Sequence, residues 1–257
     1  MNIEAYTLYS GSSGNSVLVR AGSDAILIDC GKTAAALTRA VTSVGGSMND
    51  VRAVFITHEH RDHVSALEVA SKKYALPVHI TADSLAEICG GHIRVCATPH
   101  PPVYTVKVGA MEVTSFRTHH DSVMSVGYTV GFDGSDIRLG LVTDTGHVSD
   151  DMIAALSGCT HVILESNHDV GMLTHGSYPF FLKERILSDR GHLSNDDAAE
   201  LAGILQTRGA HTFMLAHISR ENNTPDTALQ TVEKALTESG MPYCLYAAAP
   251  DVPGKVI

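Results

Sequence analysis

The sequence predicts an α/β (α+β) protein, with two mixed sheets and helices outside them. Short apolar strands alternate with helical stretches along most of the chain, which builds parallel strand pairs. Hairpin signals at Val108-Gly109-Ala110-Met111 and at Asp133-Gly134-Ser135 insert antiparallel pairs. Five apolar strands also end in an acid or a histidine: Ile28 before Asp29, Ile56 before His58, Phe116 before His120, Val142 before Asp144 and Leu215 before His217. Folds of this kind gather such groups on one rim, where strand ends present their loops.

Residues 3–10 alternate as a strand, with Tyr6, Leu8 and Ser10 on one side. Gly11-Ser12-Ser13-Gly14-Asn15-Ser16 breaks the pattern, either as a plain hairpin loop or as a loop whose N–H groups and hydroxyls approach an anion. Strands over 17–21 and 25–28 follow, the second delivering Asp29, an acid that needs partners there. Residues 33–44 are helical up to Gly45-Gly46, and 51–56 form a buried strand. A helix is expected over 64–74, a strand over 77–80 and a helix over 82–88. His79, His92 and His100 lack ligand-like surroundings and are expected to be ordinary polar or half-buried histidines.

Strands over 112–117, 125–132 and 137–142 come next, and Ser149 with Asp150 and Asp151 opens a helix. The strand over 161–164 precedes Glu165-Ser166-Asn167-His168-Asp169. Residues 177–190 look helical and carry Lys183, Arg185 and Arg190. Ser194 and Asp197 form an S-x-x-D start for a helix over 195–206. A strand over 212–216, a helix from Pro225 to about Ser239 and a strand over 243–247 follow, with a tail from Pro250. No linker or low-complexity stretch interrupts the chain, so residues 1–257 are expected to be a single domain.

With 257 residues, 44% of them hydrophobic, the chain can bury a substantial core. A net charge of -10 argues against coating nucleic acid or anionic membrane by bulk attraction. It leaves a phosphodiester enzyme open, because two divalent ions would add about four positive charges where phosphate must sit. The five cysteines, Cys30, Cys89, Cys96, Cys159 and Cys244, form no C-x-x-C and suggest neither a disulfide framework nor a cysteine zinc site. The start lacks a basic and apolar leader pattern, and no apolar run approaches spanning length, so a cytoplasmic protein without membrane contact is expected.

The densest chemistry is Thr57-His58-Glu59-His60-Arg61-Asp62-His63. His58, His60, Asp62 and His63 are four potential ligands within six residues, directly after a buried strand. Imidazole with carboxylate suits zinc, manganese or iron. Two ligands two residues apart, then an adjacent pair, suit two ions side by side better than one. A solvated polar turn is the alternative, and its place on a buried strand argues against it.

The H-x-H-x-D-H string resembles the signature of the metallo-β-lactamase superfamily, and the later ligand candidates follow in that superfamily's order. The resemblance implies a four-layer αββα sandwich, its two mixed sheets packed face to face. It assigns His58, His60 and His120 to one divalent ion, Asp62, His63 and His217 to a second, and Asp144 as the bridge. Asp29 becomes an acid behind the ligands that orients them. His120 is preferred to His119 because the family pattern has His-Asp and then a V-G-Y strand, matched by Asp121 and Val126-Gly127-Tyr128.

Ser12-Ser13-Gly14-Asn15-Ser16, Glu165-Ser166-Asn167-His168-Asp169, Gly191-His192-Leu193-Ser194-Asn195 and Leu215-Ala216-His217-Ile218-Ser219 resemble the narrower YycJ/WalJ family over about residues 3–248. Its members are bacterial cytoplasmic proteins, related in fold to RNase J and RNase Z and regarded as 5′-to-3′ exonucleases on DNA. The resemblance thus implies a nucleic-acid substrate, DNA over RNA, and two divalent ions, zinc or manganese or iron. No β-CASP insert is present. Two ions roughly 3.5–4 Å apart can activate a bridging water and clamp phosphoryl oxygens. Asp62, His192 and His168 are the catalytic candidates, the two histidines for charge stabilisation or a proton at the leaving oxygen. Ser13, Asn15, Asn167 and Ser194 are the candidate substrate contacts. His192 could equally brace a helix start. Lys183, Arg185 and Arg190 could extend a positive field along a nucleic-acid strand or be only the solvated face of a helix.

Three other functions remain open at this level. A small-molecule hydrolase for a thioester, lactone or cyclic phosphodiester fits the acidic charge. A diiron redox protein usually carries glutamate where His60 stands. A regulatory metal-binding protein without turnover would have little use for a complete ligand set.

Overall fold

The computed structural model describes residues 1–91 and 93–257, so His92 lies outside the described residues. In chain order the elements begin β1 (Ile3–Tyr9), β2 (Ser16–Ala21), β3 (Asp24–Ile28), α1 (Ala34–Ser43) and β4 (Val51–Phe55). They continue with α2 (Arg61–Val64), α3 (Leu67–Tyr74), β5 (Val78–Thr81), α4 (Ala82–Gly90), β6 (Ala97–His100), β7 (Thr105–Val108) and β8 (Met111–Arg117). Then come β9 (Val126–Phe132), β10 (Arg138–Val142), α5 (Asp150–Leu156), β11 (His161–Glu165), α6 (Val170–His175) and α7 (Phe180–Ile186). The last are α8 (Asn195–Gln206), β12 (Thr212–Ala216), α9 (Pro225–Glu238), β13 (Cys244–Ala247) and β14 (Gly254–Lys255). Two mixed seven-stranded sheets result, in the orders β14-β1-β2-β3-β4-β5-β6 and β13-β12-β11-β10-β9-β8-β7.

The chain divides into two compact units. The first comprises Met1–Ser115, Ser122–Val126 and Ala249–Ile257. Its sheet is antiparallel from β14 to β3 and parallel from β3 to β6. The parallel part follows from its helical crossovers, α1 between β3 and β4 and α3 between β4 and β5. The α1 helix starts where the Thr33 hydroxyl caps the Ala36 N–H, and it buries Leu37, Ala40 and Val41. Those residues share one core cluster with Leu27, Val54, Ile56 and Leu67.

The second unit comprises Phe116–Asp121 and Gly127–Ala248. The β9–β10 pair is antiparallel, and β10 to β13 run parallel through α5, α8 and α9. All five residues of β12 are buried, as expected for a strand covered on both faces. Leu164, Leu201, Phe213 and Val232 belong to one core cluster of this unit.

Some expectations of local structure change. The expected tail from Pro250 includes β14, which pairs with β1 through Tyr6↔Lys255 and Thr7↔Gly254. Two residues carry no period, so pairing with a partner more than two hundred positions away has no local signal. The expected helix over 64–74 begins only at Leu67, as α3, after the separate short α2, and the Ala66 N–H between them donates to the Cys30 carbonyl at 2.8 Å. The helix expected over 177–190 shrinks to α7, beginning after Pro179. Strand β6 and the Asp169-capped helix α6 are additions to the expected elements.

Candidate metal centre

In the first unit, the loop after β4 is held from beneath by one carboxylate. Asp29 accepts hydrogen bonds from the Thr57 N–H at 2.8 Å, the Thr57 hydroxyl at 2.9 Å and His63 Nδ1 at 2.7 Å. Burial raises the Asp29 carboxyl above its ordinary range, and the His63 and Thr57 contacts oppose that shift. His58 and His63 are fully buried, their ring centroids 4.1 Å apart, and the His58 and His60 centroids are 4.6 Å apart. Asp62 lies half-buried, its Oδ2 3.5 Å from His63 Nε2.

The small loop before β2 locks onto this one. The Asn15 N–H donates to the Asp62 carbonyl at 2.8 Å, the Gly31 N–H to the Asn15 carbonyl at 2.9 Å, and the Cys30 N–H to the His63 carbonyl at 2.7 Å. Gly31 is required by this approach, since a Cβ there would stand 2.1 Å from the Asp62 carbonyl oxygen. The Asn15 side chain donates to Asp62 Oδ2 at 3.1 Å, stands 3.0 Å from His63 Nε2, and accepts from the Gly11 N–H at 2.8 Å. Asn15, a candidate substrate contact, is thus buried among the candidate ligands and braces them. Ser13 is exposed, its hydroxyl accepting from Lys32 Nζ at 2.8 Å.

In the second unit, Asp144, Glu165, His192 and His217 each offer a donor atom, all within 4.8 Å of one another. The parallel strands β10, β11 and β12 end in register and present the first, second and fourth of these side by side. Glu165 is the hub. Its Oε1 accepts from His192 Nδ1 at 2.8 Å and His217 Nδ1 at 2.9 Å, and its Oε2 from the Thr145 N–H at 3.0 Å and the Leu193 N–H at 3.3 Å. Burial works against its ionisation, but His192 and His217 outweigh that and hold its carboxyl well below the ordinary range. Sequence reasoning gives Glu165 no role, although it obeys the same rule as the five residues singled out: an acid ending a buried apolar strand.

His120 donates from Nδ1 to the Gly191 carbonyl at 2.9 Å, and its Nε2 lies 3.9 Å from Asp144 Oδ1. Burial lowers its pKa, with Asp144 opposing. The neighbouring His119 turns elsewhere and stacks on His147 with centroids 4.1 Å apart. The loop carrying His120 is gripped by two cations: Arg190 Nε donates to the His120 carbonyl at 3.1 Å, and Arg185 pairs with Asp121. Lys183 Nζ donates to the Thr174 and Gly176 carbonyls at 2.8 and 2.7 Å. All three cations therefore have internal partners.

Asn167 and Ser194 also have structural duties. Asn167 Nδ2 donates to the His217 carbonyl at 2.8 Å. Ser194 closes a reciprocal capping box with Asp197 at the start of α8. His168 is 2% exposed, and neither ring nitrogen has a hydrogen-bond partner among the described residues. Burial lowers its pKa, which favours the neutral ring. His79 and His100 bond to each other at 2.9 Å, and His79 stacks on Phe55 and His100 on Tyr104.

Both units carry the hallmark of ligating imidazoles. His63, His120 and His217 each commit Nδ1 to a carboxylate or a carbonyl, which fixes the tautomer and leaves Nε2 as the donor. Together with Asp62 and Asp144 these nitrogen and oxygen donors suit divalent metal ions. Asp29, Asp144 and His217 hold left-handed backbones, with φ of 63°, 58° and 55°. Such strain persists where a surrounding network imposes it, commonly at functional sites.

A family profile described as the beta-lactamase superfamily domain matches residues 24–218. The chain is 34% identical to the exodeoxyribonuclease YycJ of Bacillus anthracis, covering 100% of this chain and 99% of that protein. It is 32% identical to the exodeoxyribonuclease WalJ of Streptococcus pneumoniae, covering 95% of this chain and 93% of that protein. In fold it is similar to the metallo-β-lactamase fold protein YhfI of Bacillus subtilis, with a TM-score of 0.75, 17% identity, and coverage of 99% of this chain and 100% of that one. The superfamily profile over residues 24–218 and the full-length relatives agree: the chain belongs to the metallo-β-lactamase superfamily, and within it to the YycJ/WalJ family.

Proposed function

We propose that this metal-dependent hydrolase is a 5′-to-3′ exodeoxyribonuclease with two divalent ions, zinc or manganese, apportioned among its ligands as the family resemblance implies. The observation that carries the reading is identity over the whole chain to proteins named exodeoxyribonucleases. The single-domain organisation and the cytoplasmic location expected from the sequence belong to the same proposal. Among the described residues no helix is long and apolar enough to cross a membrane.

Bound divalent ions would supply an acidified water and neutralise charge on the phosphoryl group. The chain's own residues do the rest. Asp29 and Glu165 orient His63 and His217 through their Nδ1 protons, so that Nε2 lone pairs are presented without reorganisation, and Glu165 also fixes the His192 ring. His192 is the ring of this group with 21% of its side chain open to solvent, and it is the residue proposed to deliver a proton to the leaving oxygen. Glu165 Oε1 accepts from His192 Nδ1 at 2.8 Å and so fixes which ring edge faces the solvent.

The test is turnover of 5′-labelled single- and double-stranded DNA and RNA with defined metals, beside a thioester and a lactone. Release of labelled 5′ mononucleotide from DNA is the expected result. Turnover of the thioester or lactone with DNA left intact would return the chain to the small-molecule hydrolases.

A further inference from the structure

The first unit holds a cavity of about 680 Å³ that belongs to none of the ligand contacts described above. Ser13, Lys32, Thr33, Arg61 and Ser65 form its polar wall, and Ala36, Val64 and Ile93 its apolar wall. Glu59 also faces it, but that carboxylate already accepts from the Ser84 hydroxyl and the Val123 N–H, both at 2.8 Å. Glu59 and Arg61 alternate in sequence with His58, His60 and Asp62, so a single loop both carries ligands and lines the cavity.

Lys32 is the unusual member. Its φ of 67° lies in the left-handed region, which glycine adopts freely and lysine does not. Its side chain runs against Gly14, where a Cβ would stand 2.6 Å from Lys32 Cγ, and Nζ ends 2.8 Å from the Ser13 hydroxyl. Both loops are thus shaped around a cation that the backbone alone would not favour. Nζ also pairs at 2.8 Å with Asp251, whose side chain is 56% exposed. The pair is open to solvent on its carboxylate side, where ion pairs are weak, so another anion can compete with Asp251 for Nζ. The start of α1, capped by Thr33, adds a positive dipole end to the same wall.

We propose that this cavity is a subsite for one nucleotide unit of a DNA strand. Lys32 and Arg61 take the phosphate with help from Ser13 and Thr33, and Ala36, Val64 and Ile93 take the sugar and base. The volume lies within the range of sites that enclose a small molecule, roughly 300–1,000 Å³. The assignment rests on the nuclease reading and gives an acidic chain a local means of holding its polymer.

Binding of a labelled, 5′-phosphorylated octathymidylate can be followed by fluorescence anisotropy, with calcium replacing the transition metal to prevent turnover. Lys32→Gly removes the cation while relaxing the backbone, so its thermal midpoint should equal or exceed that of the parent. Lys32→Gly and Arg61→Gln should each weaken binding about tenfold, as expected for one charge-assisted hydrogen bond. Each should flatten the slope of log K against log salt by about 0.7 for every phosphate it ceases to neutralise, and Asp251→Asn should tighten binding. Parent affinity retained in both cation variants would overturn the subsite and leave the nuclease reading standing. No oligonucleotide binding by the parent would overturn that reading and the subsite with it. Thymidine monophosphate binding as tightly as the octamer would overturn the assignment to a strand.

Discussion

Glu165→Gln isolates the hub of the second unit with almost no change of volume. The carboxylate is fully buried and accepts two imidazole protons and two backbone protons. A glutamine keeps one accepting oxygen and presents an N–H₂ to whichever donors lie on the other side. Exchanging a charge-assisted bond for a neutral one loses about 1 kcal/mol, so the two histidine bonds together lose about 2 kcal/mol. Donors left without an acceptor add about 1–3 kcal/mol. The His217 share alone is roughly fivefold in metal affinity, and the donors left without an acceptor bring the loss into the 10–100-fold range common when a ligand's supporting partner is removed. Chelator competition on parent and variant measures the affinity, and urea unfolding of the stripped proteins measures the structural share. A variant that binds metal within about twofold of the parent, with unchanged unfolding, would refute the role assigned to Glu165.

Gly31→Ala should destabilise by about 3 kcal/mol in urea unfolding, because backbone atoms crowd the new methyl from two loops and cannot yield as a side chain would. An unchanged midpoint would show that those loops are separable. Asp29→Asn should lower metal affinity about 10–100-fold by weakening the hold on His63, and Asp144→Asn should lower it further as a proposed direct ligand; the reverse order in a chelator titration would overturn those roles. His161 offers a pH test remote from the ligands. Burial, with His211 beside it, lowers its pKa to about 4. The unfolded chain therefore binds a proton between the ordinary value of about 6.5 and about 4 that the folded chain refuses. Stability contributed by neutral His161 is full above about 6.5 and falls as pH drops through that window, and His161→Gln should flatten the fall in thermal midpoint.

Chemistry that lies close in sequence is readable from the residues alone. His58, His60, Asp62 and His63 sit within six residues, and a buried strand before them suffices to mark a ligand loop. Asp29, Asp144 and His217 are legible by a weaker rule, since an acid or histidine at the end of an apolar strand must be satisfied by something. Glu165 meets that rule equally yet carries no local sign of its role, because its partners His192 and His217 lie 27 and 52 residues away. Asn15, Asn167 and Ser194 read as groups reaching for substrate. Their amide and hydroxyl groups are instead consumed by neighbours that only folding brings near.

By itself the sequence determined the alternation of strands and helices, the strand ends at which ligands emerge and the donor types that suit divalent ions. Those properties are local, set by side-chain period, capping residues and the cost of burying an unpaired charge. Tertiary structure alone decided that β14 pairs with β1 and that Glu165 gathers two imidazoles. It also decided that Lys183, Arg185 and Arg190 bond to carbonyls and a carboxylate of neighbouring loops, although both arginines stay exposed. Each of these is a choice among partners far apart in the chain. No periodicity encodes such a choice, because hydrogen-bond partners are selected by which backbones pack together.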